Sequence, residues 1–194
     1  MAQDLQLKTS NMRVSKEKLA ENRDRILKAA ARLMRERGIS GAGVDALTEA
    51  AGMTHGSLYS QFGSKERLVE EAVAHAIITR GKEAQEIATV DDYVAEYLSA
   101  THRDEAGSGC PLAALCSEIP RQGKNVRERF TAGVRGMIEQ LSDRMDNGLK
   151  KQRQREKALA TVASMVGALV LARAVNDPKL SDDILRATKN GMGD

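Results

Sequence analysis

The side chains best suited to recognition chemistry lie between residues 50 and 65, in Ala50-Ala51-Gly52-Met53-Thr54-His55-Gly56-Ser57-Leu58-Tyr59-Ser60-Gln61-Phe62-Gly63-Ser64-Lys65. The imidazole of His55, the hydroxyls of Ser57, Tyr59 and Ser60, and the ammonium of Lys65 can bond to base edges or phosphate oxygens. Each helical residue advances about 100 degrees, so with Leu58 set toward a core, Phe62 and Thr54 fall within about 40 degrees of it. Gly56 and Ser60 then face the opposite way, flanked by Ser57 and Tyr59. An outward Gly56 lets the helix backbone approach another surface closely. His55, Ser57 and Ser60 become candidate readers in a major groove, while Tyr59 and Lys65 suit phosphates. Singly, each residue has a plainer reading: half-buried core for Tyr59, helix surface for His55, a solvated charge for Lys65. Jointly, their spacing points to a nucleic-acid reader.

A second reactive feature is Gly109-Cys110-Pro111. Proline suits the first helical position, which makes Cys110 the N-cap and sets its sulfur near unpaired amides and the positive dipole end. Such a place lowers a thiol pKa and favours thiolate, with His102 and Arg103 as neighbours. The alternative is a small buried residue at a helix start. Cys116 lies six residues on, almost two helical turns away, too far for an easy disulfide. No zinc-type ligand spacing occurs among His102, Cys110 and Cys116, and no metal or cofactor is expected.

These residues must be positioned by helices. Apolar residues make up 41% of the 194, proline only three, so helices are favoured over sheets. The net charge is a modest +3, yet residues 8–37 carry ten Lys or Arg against four acids, which suggests a polyanion partner as well as a solvated helix face. Two cysteines without a signal peptide point to the reducing cytoplasm. The charge-free run Ala158–Ala172 reads as too short and too mild to span a bilayer.

Residues 1–18 lack an apolar period and read as a mobile arm. Ile26, Leu27, Ala30, Leu33 and Met34 form a stripe in a helix from about Glu21 to Arg37, which Gly38 ends. Two short helices follow, Val44 to Ala51 and His55 to Gln61, with Gly52 as the left-handed stop and Thr54 as the next N-cap. That is the layout of a helix-turn-helix. Ser64 can cap a fourth helix, Lys65 to Thr79, with Gly81 as its end or a bend, and further helices are expected from Asp91 or Asp92 to about His102, Pro111 to Ile119, Val126 to Met145 and Ala158 to Val175. Lys150 to Lys157 reads as a basic connector, and Ser181 as the cap of a ninth and last helix.

Residues 23–77 resemble the DNA-binding head of the TetR family of transcriptional regulators. The resemblance rests on Ile26, Ala30, Leu33 and Gly38, on Ala51-Gly52, and on Gly56-Ser57-Leu58-Tyr59 with Phe62 and Ser64-Lys65. The family usually shows Gly-Thr-Leu-Tyr, then Phe, then Ser-Lys; Ser57 replaces the Thr and keeps the hydroxyl. Gly43 departs from the usual capping Thr or Ser, Leu47 from Ile, and Thr48 from Ala.

The resemblance implies an all-α protein: a three-helix head with a helix-turn-helix (21–66) behind a basic arm (1–20), and a helical ligand-binding and dimerisation body (67–194). It implies a homodimeric, cytoplasmic regulator of near-palindromic double-stranded DNA, a repressor released by a small molecule or an electrophile, with no membrane partner. DNA contacts are expected from Val44, Thr54, His55, Gly56, Ser57, Tyr59, Ser60 and Lys65. Tyr93, Tyr97, His102, Leu115, Phe130 and Met137 could line an apolar pocket or be plain core. Ala160, Ala163, Ser164, Gly167, Ala168, Leu171 and Ile184 are expected at a dimer seam, unless that helix is buried within one subunit. Regulators of this family with a Gly-Cys pair at this place respond to electrophiles or oxidants, which makes Cys110 a redox candidate. Two competing readings are a TetR-like protein acting through protein contacts and a thiol enzyme using Cys110 with His102 as base. The enzyme reading lacks a third orienting group.

Overall fold

The computed structural model describes the backbone of residues 2–145, 148 and 150–192, and side chains from residue 17 onward. Side chains of the expected basic arm up to residue 16 lie outside the described residues. The fold is all-α, as expected. The helices are α1 (Ala2–Gly41), α2 (Val44–Ala51), α3 (His55–Phe62), α4 (Lys65–Gln85), α5 (Val90–Tyr97), α6 (Ala100–Asp104), α7 (Pro111–Leu115), α8 (Lys124–Arg144), α9 (Lys151–Ala174) and α10 (Pro178–Asn190). One 3₁₀ turn, Ile119–Arg121, sits between α7 and α8. No strand occurs among the described residues.

Local chemistry explains most boundaries. Thr54, Ser64 and Thr89 each accept, through the side-chain oxygen, the amide N–H three residues on. Such a cap stabilises a helix by about 1 kcal/mol. Gly52 ends α2 in the left-handed conformation, with φ of 59°. At Gly38, with φ of 78° and ψ of 166°, α1 breaks before one last turn.

Several elements differ from the sequence reading. Helix α1 begins at Ala2 rather than near Glu21. The single helix expected to His102 is two, because Leu98 leaves helical geometry and Ser99 caps α6 by accepting from the His102 amide. The basic stretch 151–157 opens α9 instead of connecting to it; Lys, Gln, Arg and Glu are strong helix formers. With that addition α9 is long and apolar enough, by length and composition, to cross a membrane. Here one of its faces packs into the body, burying Ala158, Val162, Met165 and Leu169. Asp177, not Ser181, caps α10, with Pro178 at its first position. Ser181 is buried and donates its hydroxyl to Ala172 O at 2.7 Å.

Two apolar clusters form the core. The head cluster joins Ile26, Ala30, Met34, Leu47, Leu58, Phe62, Leu68 and Val73 to Leu115, Ile119 and Val126 of the body. The body cluster holds Tyr93, Tyr97, Met137, Leu141, Met165 and Leu169, and Ile77 and Phe130 pack against both clusters. The head is therefore seated on the body by shared apolar burial. Thr48 is accommodated because its buried hydroxyl donates to Asp45 O at 2.9 Å. Arg144 of α8 donates to Ala84 O (2.6 Å) in the last turn of α4 and to Ile87 O (2.8 Å) just beyond it, closing the carbonyl end of the helix.

Candidate nucleic-acid interface and body cavity

On α3, Leu58 and Phe62 are fully buried, while Tyr59 is 50% exposed and His55, Gly56 and Ser60 face solvent. A Cβ on Gly56 would meet only Thr54 Oγ1, at 4.0 Å, so nothing shields the backbone there. The outward residues also brace one another. Gln61 Nε2 donates to Ser57 Oγ (2.9 Å) and Ser60 Oγ donates to Ser57 O (3.1 Å). His55 Nε2 lies 2.8 Å from Asp45 Oδ1 of α2. Thr54, placed near the core by the angular count, is exposed; its side-chain oxygen accepts the Ser57 amide at 3.2 Å. Val44 is half-buried and packs on the head core, and Lys65 is half-buried at the start of α4.

Gly43 caps α2 with no side-chain bond, and a Cβ there would meet nothing within 4 Å. Arg23, one of the ten basic residues of 8–37, is a structural tie. It donates to Gln61 O at 2.8 Å, pairs with Glu71, and lies 4.3 Å over the Phe62 ring. Such a cation over an aromatic face adds about 0.5–1 kcal/mol at an exposed site.

In the body, a cavity of about 370 Å³ opens between α4, α5, α7 and α8, lined by Ile77, Arg80, Tyr93, Cys110, Leu112 and Met137 among others. Gly136 also lines it, and a Cβ there would meet nothing within 4 Å. Of the six residues expected to line a pocket, Tyr93 and Met137 do so. Leu115 belongs instead to the head core and Phe130 lies between the two clusters. Tyr97 is wholly buried against the edge of His102, with ring centroids 4.6 Å apart.

His102 is a structural bridge. Its Nδ1 is 2.7 Å from Tyr97 O, and its Nε2 accepts the Cys110 amide N–H at 2.8 Å. The proton therefore sits on Nδ1. Burial, aided by the charges of Arg80 and Arg173 and opposed by the Tyr97 carbonyl, brings its pKa down to about 4. Both ring nitrogens are committed to backbone groups, so this ring offers no free base to the Cys110 thiol. Gly109 is required beside it: a Cβ would lie 2.7 Å from His102 Cδ2 and 3.0 Å from Arg173 Nη2.

Cys110 is buried and free, and stands at the N-cap of α7 without a side-chain hydrogen bond to the amides there. The Tyr97 phenol is raised well above its usual range, chiefly by burial, and its hydroxyl has no hydrogen-bond partner among the described residues. Arg103, expected beside this thiol, turns instead to Ser181 and Asp182. Cys116 is free and half-buried, and no metal-binding cluster occurs among the described residues.

On α9, Ala160, Ala163 and Ser164 are exposed, Gly167 is half-exposed, and Leu171 is 56% exposed. Leu159 and, on α10, Leu180 extend this apolar face. Ala168 does not join it: it is buried within the chain, because its place on the helix turns it inward with Met165 and Leu169. Ile184 is half-buried against the body core.

Residues 26–72 match the family model described as bacterial regulatory proteins, tetR family. Residues 84–186 match that of the LmrA/YxaF-like transcriptional regulator C-terminal domain. An HTH-type transcriptional regulator of Mycobacterium tuberculosis is 28% identical over 183 residues, 87% of this chain and 92% of that protein. The HTH-type transcriptional repressor NemR of Escherichia coli is 28% identical over 137 residues, 66% of this chain and 69% of that one. The crystal structure of reduced E. coli NemR has a TM-score of 0.74 at 22% identity, over 89% of this chain and 95% of that one, a likeness of fold. A cysteine mutant of the TetR family regulator CifR, complexed with 26 bp double-strand operator DNA, has a TM-score of 0.66 at 26% identity, over 86% and 95%. With a helix-turn-helix head matched by one model and more than half of the chain matched by the other, this protein belongs to the TetR family of DNA-binding transcriptional regulators.

Proposed function

We propose that the chain is a homodimeric repressor that reads a near-palindromic operator through α3 and releases it when a small apolar or electrophilic molecule enters the cavity beside Cys110. The observation that carries the DNA reading is the division of α3: Leu58 and Phe62 sealed inside, Gly56 bare, and Tyr59 and Ser60 presented outward. In this reading His55, Ser57 and Ser60 face bases, Tyr59 and Lys65 hold phosphates, Thr54 keeps the α3 amide end in shape, and Val44 seats α2. A single short helix covers few base pairs, and two-fold pairing doubles the contacts. The exposed small-residue face of α9, with Leu171 and Leu180, is the candidate seam.

The inducer class rests on two supports. Cys110 lies in the wall of the cavity with Tyr93, Leu112 and Met137. Among relatives, NemR is named a repressor and has been crystallised in a reduced form, and CifR was taken onto operator DNA as a cysteine mutant.

The test is binding of a duplex from the gene's own upstream region, with and without 0.2 M added salt, roughly the range over which phosphate-anchored complexes weaken. Sequence-selective binding with a steep salt slope is expected, and Tyr59→Phe should weaken binding to all sequences alike. Absence of selective binding would leave action through protein contacts as the better reading. Release by N-ethylmaleimide should vanish in Cys110→Ser; equal release in that variant would exclude the thiol as sensor.

A further inference from the structure

We propose that Glu118 is a positioning residue for operator reading: a carboxylate of the body that fixes the angle at which the reading head leaves α1. The proposal rests on the dimeric operator-binding reading above. Helix α1 breaks at Gly38, and the turn after it leads into α2. The first amides of a new turn have no partner within that turn. Here Ile39 N–H donates to Glu118 Oε1 at 3.0 Å and Ser40 N–H to Glu118 Oε2 at 2.8 Å. Both oxygens of one carboxylate, supplied from 78 and 79 residues away, thus close the joint between α1 and the helix-turn-helix.

Gly38 is shaped for this contact. Its φ of 78° disfavours any side chain, and a Cβ there would sit 2.2 Å from Glu118 Oε1. Burial alone would raise the Glu118 carboxyl, but the Ser40 and Ile39 hydrogen bonds outweigh it and hold the group below its ordinary range, so it serves as an anion.

The same segment touches the cavity. Cys110, Pro111 and Leu112 line it, while Leu115 and Ile119, beyond them, are buried in the head core. Before the Gly38 break, Arg35 Nε donates to Gly107 O at 2.7 Å. The piece from Gly107 to Glu118 is therefore tied to α1 on both sides of the break, once by a carbonyl and once by a carboxylate. A shift of α7 forced by a cavity occupant would act on the joint through Glu118.

Full-length wild type, Glu118→Ala and Glu118→Gln are compared in two measurements. Amide hydrogen exchange should speed up about tenfold or more at Ile39 and Ser40 in Glu118→Ala, the loss expected for bonds to a charged acceptor, while Leu58 and Phe62 amides keep their protection. Glu118→Gln retains one acceptor oxygen and should restore protection at one of the two amides. Operator duplexes with one base pair added or removed between half-sites should be discriminated by wild type, and Glu118→Ala should lose that selection while keeping the same salt slope. Unchanged protection at Ile39 and Ser40, or an unchanged spacing preference, would overturn the proposal. A wild type that binds no operator, or ignores spacing, would instead overturn the dimeric reading, and the exchange data would still judge the latch.

Discussion

Acidification from pH 7 to pH 5 should strip stability from the wild-type chain and spare His102→Gln. His102 Nε2 accepts the Cys110 amide and Nδ1 faces the Tyr97 carbonyl, so a second proton would set an N–H against an N–H in a buried site. The folded pKa of about 4 lies below the ordinary 6.5. Above 6.5 both states are neutral and nothing is lost. Between 6.5 and 4 the unfolded chain takes up a proton that the folded chain refuses, and stability falls as pH falls, by up to about 1.4 kcal/mol per pH unit. At pH 5 the loss is about 2 kcal/mol, a large part of the roughly 5–15 kcal/mol that a domain possesses.

Glutamine can donate to the carbonyl and accept from the amide without titrating. Urea unfolding followed by far-UV circular dichroism, at one protein concentration and at pH 7, 6 and 5, gives the difference between the two proteins. His75, also depressed by burial, is present in both and cancels. So do the lowered carboxyls of Asp24, Asp104 and Glu118, whose losses begin at more acid pH. Parallel pH dependences in wild type and variant would refute the assignment of a neutral, Nδ1-protonated bridge.

Three other substitutions follow from open space or exposed surface. Gly43→Ser places a hydroxyl at an uncapped N-cap with room for it, and should add about 0.5–1 kcal/mol and raise Tm by about 2 °C in a melting scan. Gly136→Leu projects a side chain into the cavity and should abolish release by N-ethylmaleimide while leaving operator affinity intact in a gel-shift titration. Leu171→Glu places a charge on the α9 face; losing two buried leucines per dimer is worth about 3 kcal/mol, so sedimentation should show a dimer weakened about a hundredfold or more.

The head was legible because its signals are local. Gly52, Thr54 and Ser64 act within four residues of themselves, and the spacing of Leu58 and Phe62 fixes which way Gly56 and Tyr59 face. The break at Leu98 was not, since Leu98-Ser99 carries neither proline nor glycine and only tertiary packing selects Ser99 as a cap. The opening of α9 was hidden by its charge, which marks solvent exposure rather than lack of helix. Ala168 and Gly167 are neighbours of similar size, and only the packing of α9 on the body separates the inward one from the outward one. Arg23 with Glu71, and Glu118 with Ile39 and Ser40, pair across 48 to 79 residues and leave no trace in local pattern.

The cap that Arg144 places on the far end of α4 has a mechanical consequence. At 1.5 Å per residue, the 21 residues of α4 make a rod about 30 Å long. One end is pinned to α8 through the Ala84 carbonyl and, just beyond the helix, the Ile87 carbonyl; the other carries α3 through Ser64 and meets α8 through Glu70, with Asn125 and Arg129, and through apolar packing. A rod held in that way magnifies small rotations. A tilt of about 6° about the pinned end moves the head end about 3 Å, close to the 3.4 Å step between successive base pairs. In the proposed dimer, two such rods would change the separation of the reading helices by nearly two steps, so a rearrangement in the body no larger than a side chain's width would be enough to put both heads out of phase with the groove.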